Sequence, residues 1–85
     1  MPARQLLLLR SARKNLLKLP LDIHQRVIRA LDVIKSNPFT GSRLKGELAD
    51  FFKYRIGDYR IVYRFDKKTK TVVVVKIEHR RGVYR

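Results

Sequence analysis

The sequence has no cysteine and only seven carboxylate side chains among its 85 residues. Without cysteine, neither disulfides nor thiolate metal sites can support the fold. The carboxylates are scattered, and no two histidines are spaced four residues apart as they are in helical metal sites. A Gly-rich phosphate loop and a Ser-His-Asp pattern are also missing. We therefore expect a protein that uses neither a metal ion nor a small-molecule cofactor.

Long apolar runs are missing as well. No run approaches the ~20 residues that span a bilayer. The apolar run at residues 6–9 is shorter than the ~7–15 residues of a signal peptide, and no small-residue cleavage site follows it. We expect a cytoplasmic protein without a membrane partner. The apolar share of 45% is too high for a disordered chain, and the length fits a single domain over residues 1–85 with a modest core.

Positive charge dominates what is present. The chain has 21 Lys and Arg residues against 7 Asp and Glu, a net charge of +14. Such a charge opposes compaction of a small domain, and a polyanion is the usual partner because Lys and Arg release counterions from phosphates. An anionic membrane is disfavoured because the basic residues do not gather on one amphipathic helix. A generic solubility surface and an acidic protein partner remain open alternatives.

Helical periodicity marks the first half of the chain. After a short strand at residues 5–9, Ser11 can cap a helix over residues 12–18. Pro20 then starts a second helix, which Ser36-Asn37-Pro38 ends. The apolar stripe of this second helix consists of Ile23, Val27, Ala30, Leu31 and Ile34. The spacing predicts two tightly joined helices, a helical hairpin.

Strand periodicity marks the second half, where apolar and polar residues alternate in strands at residues 52–56 and 59–65. A short edge strand is expected at residues 44–48, and a polar turn at residues 66–70. Residues 71–77 contain four consecutive valines, which is typical of a central strand buried on both faces. The order β-α-α-β-β-β predicts an α+β domain, with a helical hairpin on one face of a mainly antiparallel sheet.

The dipeptide Gly57-Asp58 suits a two-residue hairpin turn with glycine first. That register places Ile56 opposite Tyr59 and Arg55 opposite Arg60. One side of the hairpin then carries four cations, which we call the cationic face: Lys53, Arg55, Arg60 and Arg64. The other side carries the aromatic and apolar residues that can cover the helices: Tyr54, Ile56, Ile61 and Tyr63.

Like charges placed directly opposite one another destabilise a sheet. From the pattern we expect no carboxylate among the cations of this face, so folding alone does not explain them. An anion bound on the face is the better explanation. The alternative is a solvated face on which salt and long side chains relieve the repulsion.

Metal-free RNA cleavage needs a base for the 2′-hydroxyl, an acid for the leaving 5′-oxygen and cations for the pentacovalent phosphate. Lys53 is a candidate base, since lysine can lose its proton when other cations depress its pKa. His79 is a second candidate base or acid, with a hydrogen-bonded structural histidine as the alternative. Tyr84 can stack on an RNA base or anchor the C-terminus to the sheet.

Several segments together resemble the RelE/ParE superfamily of type II toxins, and the resemblance covers essentially the whole chain. It rests on the helical hairpin ending in Ser36-Asn37-Pro38, the segment Arg43-Leu44-Lys45-Gly46, the strand Tyr59-Arg60-Ile61-Val62-Tyr63, and the close His79-Arg80-Arg81-Gly82-Val83-Tyr84. It implies a RelE-like, microbial-RNase-like fold. It also implies a toxin that enters the ribosomal A site, contacts 16S rRNA and cuts mRNA, and that an acidic antitoxin neutralises.

The resemblance also implies the working residues. They are the catalytic candidates Lys53, Arg55, Arg60, Arg80 and Tyr84, beside His79, and the RNA-binding residues Arg43, Lys45, Arg64 and Arg81. Arg60 and Arg80 would stabilise the phosphate, and Tyr84 would stack on the mRNA base. Arg55 departs from the RelE pattern, which has lysine there, and arginine cannot act as a base. The alternatives are a ParE-like relative, which poisons DNA gyrase, and a non-catalytic RNA-binding relative.

Overall fold

In the computed structural model, which describes residues 2–44 and 50–79, two helices pack on a five-stranded sheet. The elements in chain order are β1 (Gln5–Leu8), α1 (Arg10–Leu17), α2 (Leu21–Ser36), β2 (Ser42–Arg43), β3 (Phe51–Ile56), β4 (Tyr59–Asp66) and β5 (Thr71–His79). Neither helix in the described part of the chain is long and apolar enough to cross a bilayer.

The strands lie in the order β1-β5-β4-β3-β2. β1 runs parallel to β5 and the other neighbours are antiparallel, which confirms the predicted α+β class. The edge strand in the described residues is β2 at Ser42–Arg43, which ends just before Leu44, where the expected edge strand was to begin. It forms as soon as the chain leaves the loop after α2, where Ser42 pairs with Lys53. The other residues of the expected strand, 45–48, lie outside the described residues.

The predicted stripe of α2 forms the helical side of the core. Val27, Ala30, Leu31 and Ile34 are buried, and Ile23 is half-buried. Pro20 lies at the N-cap position and the helix begins at the next residue, close after Pro20 as the sequence indicated. Facing the helices, the sheet buries Phe52, Ile56, Ile61, Tyr63, Val72, Val74 and Ile77.

α1 begins two residues earlier than predicted, at Arg10, so the expected role of Ser11 as the N-terminal cap was wrong. The residue at the cap position is Leu9, whose backbone N–H instead donates to the Val74 carbonyl at 2.9 Å. Ser11 lies inside the first turn and donates its hydroxyl to the carbonyl oxygen of Val75 at 2.7 Å. One turn further on, the side-chain carbonyl of Asn15 accepts the backbone N–H of Ile77 at 3.1 Å.

These two helix side chains bind β5 at a β-bulge. Tyr63 pairs with Val74 but Val62 pairs with Lys76, so Val75 is an extra residue on β5. Before the bulge, Val72 and Val74 face the helices and Val73 is buried on the other face, as predicted for a central strand. After the bulge the alternation is reversed, and Ile77 becomes the next buried residue on the helix side.

Tyr63 ties the loop after α2 to the sheet. Its hydroxyl is buried, donates to the Pro38 carbonyl at 2.8 Å and accepts the Gly41 N–H at 3.0 Å. Burial raises the pKa of this hydroxyl above its ordinary value of 10.0. The neutral form is therefore favoured in the folded state, and its contribution to stability is lost as pH rises above that value.

We expect Tyr63→Phe to lower the free energy of unfolding by about 1–3 kcal/mol, because both loop groups lose their partner. Urea denaturation at neutral pH measures the loss. Tyr59→Phe is the matched control, since the Tyr59 hydroxyl has no hydrogen-bond partner in the described part of the chain. Equal effects of the two substitutions would show that the hydroxyl does not hold the loop.

Candidate functional site

The β3–β4 hairpin forms in the predicted register. Arg55 pairs with Arg60, Lys53 pairs with Val62 and Phe51 pairs with Arg64. Gly57 has a φ of 57°, the left-handed conformation that this turn needs and that glycine adopts without strain. The four members of the cationic face therefore lie on the side of the sheet away from the helices.

The prediction that this face lacks a carboxylate was wrong. Glu78 on β5 pairs with Arg60 across the sheet, and one carboxylate oxygen accepts a hydrogen bond from Nε of Arg60 and forms an ion pair with its Nη2. The other oxygen lies 3.3 Å from Nζ of Lys76. The Glu78 side chain is 14% exposed, and that of Arg60 is 35% exposed. A carboxylate thus lies between two cations on the face.

The bulge explains why the sequence pattern concealed Glu78. Regular alternation from Val72 would have turned residue 78 toward the helices and residue 79 toward the cationic face. The extra residue Val75 exchanges the two positions. Four consecutive valines do not indicate where a bulge lies. The cross-strand pairs on either side of Val75 show its position directly.

His79 accordingly does not join the cationic face. It pairs with Tyr59, whose neighbour Ile61 is buried under the helices. The His79 and Tyr59 rings lie 5.1 Å apart, edge to face. The register places His79 on the helix side of the sheet, at the end of β5. The cationic face is on the opposite side.

Lys53 is half-buried, and the loop after α2 packs against its backbone. A Cβ atom on Gly41 would lie 2.6 Å from the Lys53 carbonyl oxygen and 2.7 Å from the Tyr63 hydroxyl. Only glycine allows so close an approach. The loop that Tyr63 holds therefore also fixes the strand position from which Lys53 projects.

Arg55 lies where the sheet edge is open, because β2 pairs with β3 only at Phe52 and Lys53. It lines a shallow cavity of about 310 Å³ together with Arg26 and Arg29 of α2. None of the described residues that line this cavity is a carboxylate. The exposed face of α2 thus contributes two further arginines beside Arg55.

Arg64 and Arg43 meet at the other end of the hairpin. Both line a groove of about 610 Å³, together with Phe39, Phe51, Lys67, Lys68 and two carboxylates among others. The Arg43 guanidinium lies 5.2 Å from the centroid of the Phe52 ring, a cation–π contact. Basic side chains outnumber carboxylates four to two in this groove, which reaches from Arg64 to Lys67 and Lys68 in the β4–β5 turn.

Four of the predicted site residues lie outside the described residues: Lys45, Arg80, Arg81 and Tyr84. Over residues 2–44 and 50–79, no three His, Cys, Asp or Glu residues converge in a way that could hold a metal ion.

Comparisons with known proteins agree on one family. A sequence model of the ParE toxin of type II toxin-antitoxin systems matches residues 6–84. Toxin RelG of Mycobacterium tuberculosis is 39% identical over 77 residues, 88% of each protein.

Solved structures share the fold. The toxin-antitoxin complex RelBE2 from Mycobacterium tuberculosis matches with a TM-score of 0.81 and 34% identity over 94% of both chains. The archaeal RelE-RelB complex from Pyrococcus horikoshii matches with a TM-score of 0.77 and 24% identity, covering 89% of this chain and 93% of that one. The chain therefore belongs to the ParE toxin family of type II toxin-antitoxin systems, within the RelE/ParE superfamily.

Proposed function

We propose that this toxin is a ribosome-dependent endoribonuclease that cuts mRNA in the A site and so inhibits translation in the cytoplasm. The observation that carries the proposal is the cationic face, where Lys53, Arg55, Arg60 and Arg64 share one side of the hairpin away from the helices. Such clustering costs folding free energy; the Glu78 carboxylate offsets part of this cost, and a bound RNA backbone offsets more. The similarity to toxin RelG supports a role as a toxin.

The proposed reaction is attack of a 2′-oxygen on the adjacent phosphorus. The bond from phosphorus to the 5′-oxygen breaks, leaving a 2′,3′-cyclic phosphate and a 5′-hydroxyl. The 2′-hydroxyl gives its proton to a base, and the leaving oxygen takes one from an acid. Arg60 stabilises the charge on the non-bridging oxygens. By the family resemblance Arg80 shares this role and Tyr84 stacks on the base.

Lys53 is the base that we favour. Arg55 cannot lose its proton, and His79 lies in register on the other side of the sheet. Lys53 lies on the cationic face, and the loop through Gly41 holds its backbone in place. Arg55, with Arg26 and Arg29, then serves to bind RNA phosphates, as do Arg64 and Arg43 at the groove.

The first experiment uses purified ribosomes with an mRNA codon in an otherwise empty A site. We expect the protein to cut the mRNA there, and a 2′-O-methyl group on the scissile nucleotide to block the cut because the nucleophile is lost. Primer extension locates the cleavage.

Intact mRNA at a molar excess of protein over ribosomes would contradict the ribonuclease proposal. The alternative is a DNA gyrase poison, which the ParE family match favours. Loss of gyrase supercoiling activity in the presence of the protein, with mRNA left intact, would establish that alternative. A protein that retains RNA affinity but inhibits neither process would be a non-catalytic RNA-binding relative.

The second experiment replaces Arg60. We expect Arg60→Ala to lower the cleavage rate about 100- to 1000-fold, the usual effect of removing one transition-state donor. The free energy of unfolding should change by no more than about 1 kcal/mol, because a partly exposed ion pair contributes little to stability.

Arg13→Ala is the matched control, since it removes the same charge from an exposed position on α1. Single-turnover cleavage and urea denaturation measure both variants. An active Arg60→Ala protein would remove Arg60 from the reaction, and a loss of several kcal/mol would make it a structural residue.

We further propose that an acidic antitoxin covers the outer face of α2. The RelBE2 and RelE-RelB structures are toxin-antitoxin complexes. In this chain Leu21 is 74% exposed and Ile28 is 42% exposed, and both line one shallow cavity with Arg29. Apolar side chains beside an arginine suit an acidic amphipathic segment.

The test is co-expression with the product of the adjoining gene. We expect a complex that Leu21→Asp weakens at least tenfold and that Leu7→Asp, at an exposed position on β1, does not. Calorimetry measures both affinities. The surface assignment fails if the two variants bind equally well, and the partner assignment fails if no complex forms.

A further inference from the structure

Glu78 is an unexpected residue on a face that binds RNA. Among the described residues, the strand register places two carboxylates on this side of the sheet, Asp66 and Glu78. Asp66, at the end of β4, accepts hydrogen bonds from the backbone N–H groups of Lys68 and Thr69 and so stabilises the β4–β5 turn. Within residues 2–44 and 50–79, the partners of Glu78 are two cations on the same side of the sheet, Arg60 and Lys76. Its charge opposes RNA phosphates, so a face selected for affinity alone would gain by losing it.

The geometry of the pair indicates what Glu78 does. One carboxylate oxygen accepts a hydrogen bond from Nε of Arg60 and is ion-paired with Nη2, and these two nitrogens lie on the same edge of the guanidinium. Arginine has five N–H donors in a rigid plane. This side-on pairing leaves the end of the plane, with both N–H groups of Nη1 and the second of Nη2, for another ligand. That end can bind two oxygens of one phosphate.

The carboxylate is itself held in place. Its second oxygen lies 3.3 Å from Nζ of Lys76, and its side chain is 14% exposed. Both oxygens are therefore engaged, and the side chain has little room to change rotamer. A long arginine side chain loses much rotamer entropy when it is ordered, and here this loss occurs before RNA arrives.

We propose that Glu78 is a positioning residue, which holds Arg60 side-on so that its end-on N–H groups are directed at the reacting phosphate, with Lys76 holding Glu78. The inference rests on the proposed ribonuclease function. It implies a trade of affinity for rate, since the negative charge weakens RNA binding while the fixed guanidinium stabilises the transition state.

The experiment compares Glu78→Gln and Glu78→Ala with Asp66→Asn, which removes a negative charge from the same side of the sheet while keeping a side-chain oxygen for its turn. Single-turnover cleavage on programmed ribosomes gives kcat and KM separately. Both Glu78 variants should lower kcat about 10- to 100-fold, the effect of a misplaced catalytic group. Their KM should stay equal or fall, because net positive charge increases. Asp66→Asn should keep the kcat of the parent.

A double-mutant cycle and a spectrum separate positioning from a structural role. In an Arg60→Ala background, Glu78→Ala should cause no further loss of kcat, because the two residues act as one unit. The Arg60 Nε–H resonance should change in both Glu78 variants, although their circular dichroism stays that of the folded protein.

If the losses of kcat from Arg60→Ala and Glu78→Ala multiply in the double variant, the positioning role is overturned. A raised KM with unchanged kcat in the Glu78 variants would overturn it as well. Either result would leave the ribonuclease proposal in place. A parent protein that cuts no mRNA would overturn the ribonuclease proposal, and the positioning role with it.

Discussion

The arrangement of the site depends on the β-bulge at Val75. Ser11 binds the carbonyl of this extra residue and Asn15 binds the N–H of Ile77, so α1 holds β5 on both sides of the irregularity. The bulge reverses the alternation of the strand, which buries Ile77 and places Glu78 beside Arg60. Packing of the core and composition of the cationic face are therefore set by the same local feature.

Sequence reasoning succeeded where structure follows from neighbours along the chain. The stripe of α2 has a helical period, and Gly57-Asp58 fixes the hairpin register that unites Lys53 with Arg60. It failed where contacts between distant segments of the chain determine the local backbone conformation. The bulge is held by α1 side chains that lie more than sixty residues earlier in the chain. Ser11 is 64 residues from its partner Val75, and Asn15 is 62 residues from its partner Ile77. As a result Glu78 was not foreseen.

The cationic face shows how function and stability oppose each other in a small domain. With a net charge of +14, the chain repels itself, and paired cations such as Arg55 and Arg60 add to that repulsion. Glu78 relieves part of it without removing a cation. We propose that the same ion pair orders Arg60 for catalysis, so that one carboxylate serves both the folded state and the reaction.

The most direct test of this account is the chemistry of the cut end. If the 2′-hydroxyl attacks the phosphate that Arg60 stabilises, mass spectrometry of the upstream mRNA fragment will find a 2′,3′-cyclic phosphate, or the phosphate formed by its later hydrolysis. The downstream fragment will carry a 5′-hydroxyl. An upstream fragment with a free 3′-hydroxyl and a downstream fragment with a 5′-phosphate would mean that water attacked instead, which would contradict the account.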